Sequence, residues 1–291
     1  LQWIATLFVT TILMIEHLVI SSAGPDGLIQ LGMLQQLQQE SILDISTLKS
    51  IHGSSAGSIL GVLLAMGVPI QEMVDYFIQR PLDKWFKIDM ENMFTHKGFV
   101  DSSCFEELLL PFFNAYDIPI SITMKEFHER SGMNIHIYTT SVTHMNSVDV
   151  NHQTFPELPV IQAISMSSAI PFLFTPIVYK GEYYIDGGLV KHCPIPDVEQ
   201  DTLLVVMIDH KRTVNLDSPI EFMQHIFVKL FDIVCSNTVV PNGKFVYIFT
   251  TPIGSIHPYH IGKVLCNQPF REELVEMGRQ CISNRGDKLP I

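Results

Sequence analysis

Residues Thr47–Met66 read TLKSIHGSSAGSILGVLLAM, and the nine in the middle, Ile51–Ile59 (IHGSSAGSI), set the architecture. Thr47–His52 is strand-like, and Ser58–Met66 is apolar all round, as expected of a helix buried against a sheet. Between them stand Gly53, Ser54, Ser55, Ala56 and Gly57. So many small residues between two buried segments make either an ordinary tight turn or a turn built to hold one serine in the open.

Working upstream, His17–Ser21 (HLVIS) reads as a short buried strand and is followed by SAGPDG. Leu28, Leu31, Leu34 and Leu37 then recur every three residues along one helix face. The order strand, helix, strand, helix is the repeating unit of a parallel sheet, so the chain is read as α/β. Downstream, Ser103–Glu106 and Thr123–Glu126 fit capping boxes that open helices. Asn134–Val142 reads as a strand, Pro159–Ser168 as a helix, and Ile177–Ile185 as a strand or hairpin. Leu203–Asp209 is a continuous apolar run, hence a central strand. A helix is expected over Pro219–Cys235, a strand over Phe245–Thr251, and a closing helix over Pro269–Ile282 with proline in its first turn.

The chain has 291 residues, 47% of them apolar and only 16% charged, which fits one large α/β domain over residues 14–291. The apolar stretch 1–13 has no basic flank and meets Glu16 and His17 too early to span a bilayer. A truncated signal or anchor, or a packed element, would explain it; the preferred reading places it upstream of a start at Met14. A net charge of −12 argues against nucleic acid and against tight docking on anionic membranes, and leaves neutral or zwitterionic partners open. Five scattered cysteines without metal-ligand spacing point to a reduced, cytoplasmic setting with buried thiols. No calcium loop or zinc pattern appears, so no metal and no cofactor is expected.

Gly53-x-Ser55-x-Gly57 between strand and helix is a nucleophile-elbow pattern. A sharp turn projects the hydroxyl clear of the sheet, the glycines relieve crowding, and the helix that follows aims N–H groups toward the serine. A serine needs a base to become a nucleophile. The common arrangement on this pattern is serine, acid, histidine, with several strands ahead of the serine; here only one strand–helix unit precedes it. His257 and His260 are late histidines that would suit that alternative. A second signal is Tyr183-Tyr-Ile-Asp-Gly-Gly188, an apolar strand ending in Asp186, Gly187 and Gly188. It is either a hairpin turn or a strand end whose small neighbours let a carboxylate approach another group.

Taken in order, SAGPDG, GSSAG and DGG, with Ser168-Ala-Ile-Pro171 and Phe174–Pro176 before the last, resemble the patatin-like phospholipases over roughly residues 15–209. The resemblance implies a three-layer α/β/α fold with a mostly parallel sheet and a Ser–Asp pair without histidine. It implies Ser55 as nucleophile, Asp186 as general base, and hydrolysis of fatty-acyl esters of phospholipids or related lipids through an acyl-enzyme. The lipid would be met at a membrane or micelle surface, by peripheral contact.

The family's oxyanion turn is Gly-Gly-Gly-x-Arg/Lys-Gly, whereas this chain has Ser22-Ala-Gly-Pro-Asp-Gly27. Backbone N–H groups do the work of such a turn. Pro25 has none, which leaves Ala23 and Gly24 as prime donors and Ser22 as a third, with Gly27 completing the motif. Asp26 stands where the family carries a cation, and a carboxylate near a developing oxyanion would slow the reaction. The altered turn as a whole motivates a second reading, a catalytically impaired protein of the same fold serving as a lipid-binding or scaffold module. Trp85, Phe112 and Phe113 lie in an irregular region, Pro81–Ser121, where a lid or acyl-pocket wall is expected.

Overall fold

The computed structural model describes residues 14–210, 226, 245–251 and 258–284. The stretch 1–13, Cys235, His257 and, apart from residue 226, the helix expected over 219–235 lie outside them. In chain order the elements are β1 His17–Ile20, α1 Gly27–Gln39, β2 Ser50–Ser54, α2 Ala56–Ala65, α3 Ile70–Gln79, α4 Leu82–Trp85, α5 Met90–His96 and β3 Gly98–Val100. Then follow α6 Cys104–Ala115, α7 Met124–Ser131, β4 Asn134–Ser141, β5 Asn146–Val150, α8 Val160–Ser168, β6 Phe172–Phe174, β7 Ile177–Tyr179 and β8 Glu182–Asp186. The last are β9 Leu203–His210, β10 Val246–Thr251, α9 Pro258–Cys266 and α10 Gln268–Ser283.

The main sheet runs β10-β9-β1-β2-β4-β8-β7, with β5 paired to β4. Its β10 to β4 half is parallel, while β5, β8 and β7 pair antiparallel. A sheet flanked by helices and parallel through its centre is the expected class, with an antiparallel margin added. Leu18, Ile20, Ile51, Ile135 and Ile137 face the larger core with the helices, whereas Val19, Val205 and Met207 face a smaller cluster around Cys193. Neighbouring residues on β1 thus enter opposite clusters, as the period-2 pleat requires.

The four leucines of α1 are all buried, and α1 crosses α10 so closely that a Cβ on Gly278 would sit 2.0 Å from the Ile29 carbonyl oxygen. Two expectations shift for local reasons. Asp44 caps a 3₁₀ turn over Ile45–Thr47, so β2 begins at Ser50 rather than Thr47. The capping box at Thr123 forms, but the one at Ser103 does not. Ser103 is already helical (φ −61°, ψ −17°), and its N–H donates to Asp101 Oδ1 at 2.8 Å. Lys180 and Gly181, at φ 50° and 84°, make the two-residue turn of the β7–β8 hairpin.

β1 has β2 on one side and β9 on the other. The direction of chain crossover therefore reverses at β1, and crevices form at the carboxyl ends of strands at such a switch. The turns after β1 and β2 open at that end.

Candidate active site

β2 and β8 both pair with β4. β2 runs parallel to it as far as Ser54↔Tyr138, and β8 runs antiparallel down to Asp186↔Thr139. Because β5 overlaps both stretches of β4, β2 and β8 must share the other edge and meet end to end. Ser55 follows the end of one strand and Asp186 ends the other, so the sheet itself brings the two together. The junction tolerates only glycine next: a Cβ on Gly187 would lie 1.9 Å from the Tyr138 carbonyl oxygen and 2.7 Å from Ser54 Oγ.

Ser55 has φ 53° and ψ −124°, a positive φ that costs a non-glycine residue about 1–3 kcal/mol. The turn is held by packing and hydrogen bonds. A Cβ on Gly57 would stand 2.2 Å from the Ile20 carbonyl oxygen, and one on Gly53 would stand 2.6 Å from the Gly57 oxygen. Both glycines therefore let the elbow close against β1 and α2. The Ser55 N–H donates to Ser167 Oγ at 2.8 Å, and the Ser167 hydroxyl donates to the Tyr138 carbonyl at 2.6 Å. Ser167, in the stretch just before Ser168-Ala-Ile-Pro171, was not singled out by sequence; its proximity to that motif was the signal.

Asp186 is 5% exposed. Burial pushes its carboxyl up to about 6, against the opposing effects of the Ser55 hydroxyl and the Gly188 N–H. Oδ1 accepts the Gly188 N–H at 2.7 Å. Oδ2 is buried without a well-formed hydrogen bond, so the Ser55 hydroxyl is near enough to perturb the carboxyl but not clasped by it. Catalytic hydrogen bonds are often loose before substrate arrives.

Ser55 opens on a cavity of about 160 Å³ whose lining is apolar apart from the hydroxyls of Ser55 and Ser168 and the turn Gly24–Gly27. Its walls come from α1 (Leu28, Leu31), α2 (Ile59, Leu60), the Trp85–Phe86 corner, Phe105, β6 and α9. That volume is close to the roughly 150 Å³ cavity that takes a benzene-sized molecule, room for a segment of one chain. Trp85 is thus a wall residue as expected. Phe112 and Phe113 are not among the lining residues: at 2% and 0% exposure they are packed into the larger core.

Among the turn residues, the Ser22 N–H donates to the His192 carbonyl at 2.8 Å, which removes Ser22 from the donor set. Ser22 Oγ also bonds His192 Nδ1, and His192 Nε2 lies 2.8 Å from the Ile208 carbonyl oxygen, so His192 laces the turn to β9. Ala23 and Gly24 are left as donor candidates. Gly24 takes φ 54°, which suits glycine. Gly27 packs against the start of α2, where its Cβ would meet that of Ala56 at 3.0 Å, and a Cβ on Gly188 would strike Ser22 Oγ at 2.4 Å. Asp26 does not face the cavity, although Gly24, Pro25 and Gly27 do. It is 1% exposed and its Oδ1 lies 2.6 Å from His260 Nε2. His260 therefore serves Asp26, and among the described residues no histidine is hydrogen-bonded to Ser55.

Among the described residues no group of three or more His, Cys, Asp or Glu side chains is arranged to hold a metal ion, and no helix is long and apolar enough to cross a membrane.

A search of curated proteins finds a probable lipid hydrolase, 463L, of Invertebrate iridescent virus 6, 28% identical over 186 residues, 62% of each chain. It also finds uncharacterized protein R571 of Acanthamoeba polyphaga mimivirus, 24% identical over 190 residues, 64% of this chain and 62% of that one. The chain thus covers less than two thirds of either relative. Among solved structures, VipD from Legionella pneumophila shares the fold at TM-score 0.51 and 15% identity, over 90% of this chain and 66% of that one. Residues 18–198 match the family model for patatin-like phospholipase, and the chain belongs to that family.

Proposed function

We propose that the protein is a serine lipid acyl hydrolase that cleaves a fatty-acyl ester through an acyl-enzyme on Ser55, with Asp186 as general base. One observation carries the reading: a serine on a strained elbow opens on an apolar cavity and has a buried, weakly acidic carboxyl beside it. The Asp186 carboxylate takes the Ser55 hydroxyl proton as Oγ attacks the ester carbonyl. The N–H groups of Ala23 and Gly24 receive the oxyanion, supported by the positive end of α2. Collapse expels the alcohol, which takes the proton from Asp186. Water, deprotonated by the same carboxylate, then releases the fatty acid and restores Ser55. A carboxyl near 6 is ionised at neutral pH yet is a stronger base than an exposed aspartate.

The substrate is proposed to be a lipid met at a membrane or micelle surface. The segment that supplies Trp85 and Phe86 to the cavity also exposes Ile88, Met90 and Phe94, and β6 exposes Phe172. Asp26 itself gives the scaffold reading no support, since its carboxylate is turned to His260; the other changes in the turn still motivate that alternative.

The test is hydrolysis of a fluorescent phospholipid and of nitrophenyl acyl esters, with a fluorophosphonate probe. Ser55→Ala and Asp186→Asn should each lose about a thousandfold or more in kcat/KM, as removal of members of a catalytic unit does, and Ser55→Ala should lose probe labelling. Undiminished turnover in both variants would sink the mechanism.

A further inference from the structure

We infer that Asp26 and His260 form a positioning pair that locks one wall of the acyl cavity onto the turn carrying the oxyanion donors; this rests on the function proposed above. The two residues are 234 positions apart and bond at 2.6 Å with both side chains buried, Asp26 at 1% and His260 at 7% exposure. Asp26 sits in the 3₁₀ turn Gly24–Asp26, whose neighbours Gly24, Pro25 and Gly27 line the cavity. His260 sits on α9, whose Ile261, Val264 and Leu265 line the same cavity. Neither Asp26 nor His260 lines it, so the pair acts through what it holds in place.

The family's cation at this turn is absent, and a histidine from the far end of the chain meets the carboxylate instead. Removing the imidazole donor from a carboxylate that is 1% exposed withdraws a hydrogen bond that water does not reach to replace unless the turn or the helix shifts. His260 is held on its other side, with its ring edge-on to Phe270 of α10 at 5.6 Å. Because the turn and α9 are bonded to each other, displacing either changes the oxyanion donors and the acyl wall together. Acyl-chain binding and transition-state stabilisation are therefore coupled through this contact.

The experiment compares the full chain with Asp26→Ala, His260→Ala, His260→Gln and the double alanine variant on nitrophenyl acetate and nitrophenyl decanoate. Thermal midpoints and fluorophosphonate labelling are measured in parallel. Each single alanine variant should lose at least about tenfold in kcat/KM on the decanoyl ester and clearly less on the acetyl ester. The double variant should lose no more than the worse single, because the two residues share one interaction. His260→Gln, which keeps a donor nitrogen, should recover much of the loss. If the alanine variants fail to fold, Asp26→Asn and His260→Gln carry the same chain-length comparison.

Lower thermal midpoints with an unchanged chain-length profile would overturn the inference, as would additive losses in the double variant. Wild-type protein that labels at Ser55 alongside unaffected variants overturns the pair alone. Wild-type protein that neither labels nor turns over overturns the proposed function as well.

Discussion

Asp186 shows how burial sets one group to its task and what that does to the fold. Its carboxyl is held at about 6, against about 3.9 in an unfolded chain. Between these values the folded protein binds more protons than the unfolded one, so stability falls as pH rises from about 4 to about 6 and is flat above. Asp186→Asn does not titrate. It should therefore be more stable than wild type by about 2–3 kcal/mol at pH 8, with the gap closing toward pH 4, as paired denaturant melts at the two pH values would show. Turnover of wild type should climb with pH and level off above about 6, since only the ionised carboxyl accepts a proton. Gly187 is the residue that permits the approach: Gly187→Ala drives a Cβ to 1.9 Å from the Tyr138 carbonyl oxygen. Its displacement of Asp186 should cost about 100-fold in kcat or more, read on a folded sample with a nitrophenyl ester.

Among the elements, α9 depends on others for its place. The Arg271 guanidinium of α10 donates to the Val264 and Leu265 carbonyls of α9 at 2.9 and 3.2 Å, and to the Ile78 and Arg80 carbonyls at the end of α3 at 2.7 and 3.1 Å. One buried cation thus satisfies the last carbonyls of two helices, which have no partners within their own helices. Arg271→Met keeps the length of the side chain and abandons those carbonyls. It should destabilise by about 2–4 kcal/mol and lower the thermal midpoint by about 5–15 °C, measured by calorimetry. The contrast between Thr123 and Ser103 belongs to this scale as well. Both sit three residues before a glutamate, but only the residue with extended backbone (φ −78°, ψ 161° at Thr123) presents its oxygen to the helix N-terminus.

For the whole molecule, the arrangement that matters is an apolar cavity whose wall segment runs on into exposed apolar side chains. Ile88, Met90 and Phe94 are 65%, 64% and 86% exposed, beside a wall built from Trp85 and Phe86. The residues from Asp83 to Lys97 carry three lysines against two aspartates and one glutamate, so this segment is locally neutral although the chain is strongly acidic. A neutral segment with exposed apolar side chains suits a zwitterionic interface. Met90→Ser combined with Phe94→Ser should reduce hydrolysis of phosphatidylcholine vesicles by about 5–30-fold, the loss of about 1–2 kcal/mol of apolar burial. Turnover of a soluble short-chain ester should change less than twofold. Equal losses on both substrates would show that the segment supports the fold rather than the interface.

Read along the chain, the strand–turn–helix around Ser55, the leucine stripe of α1, the β7–β8 hairpin and the glycines at 53, 57, 187 and 188 were legible, because each expresses a steric rule acting within a few residues. Periodicity needs no distant partner, and a glycine kept in a sharp turn announces close packing wherever that packing comes from. The head-on meeting of β2 and β8 along one edge of β4 was not legible, nor was the pairing of Asp26 with His260, the lacing of Ser22 by His192, or the burial of Phe112 and Phe113 away from the cavity. Each of those depends on which distant segments become neighbours, and apolar burial, which selects the neighbours, is nearly blind to identity and direction. Local sterics therefore made the elbow, and only the closing of the sheet placed a buried carboxyl beside it.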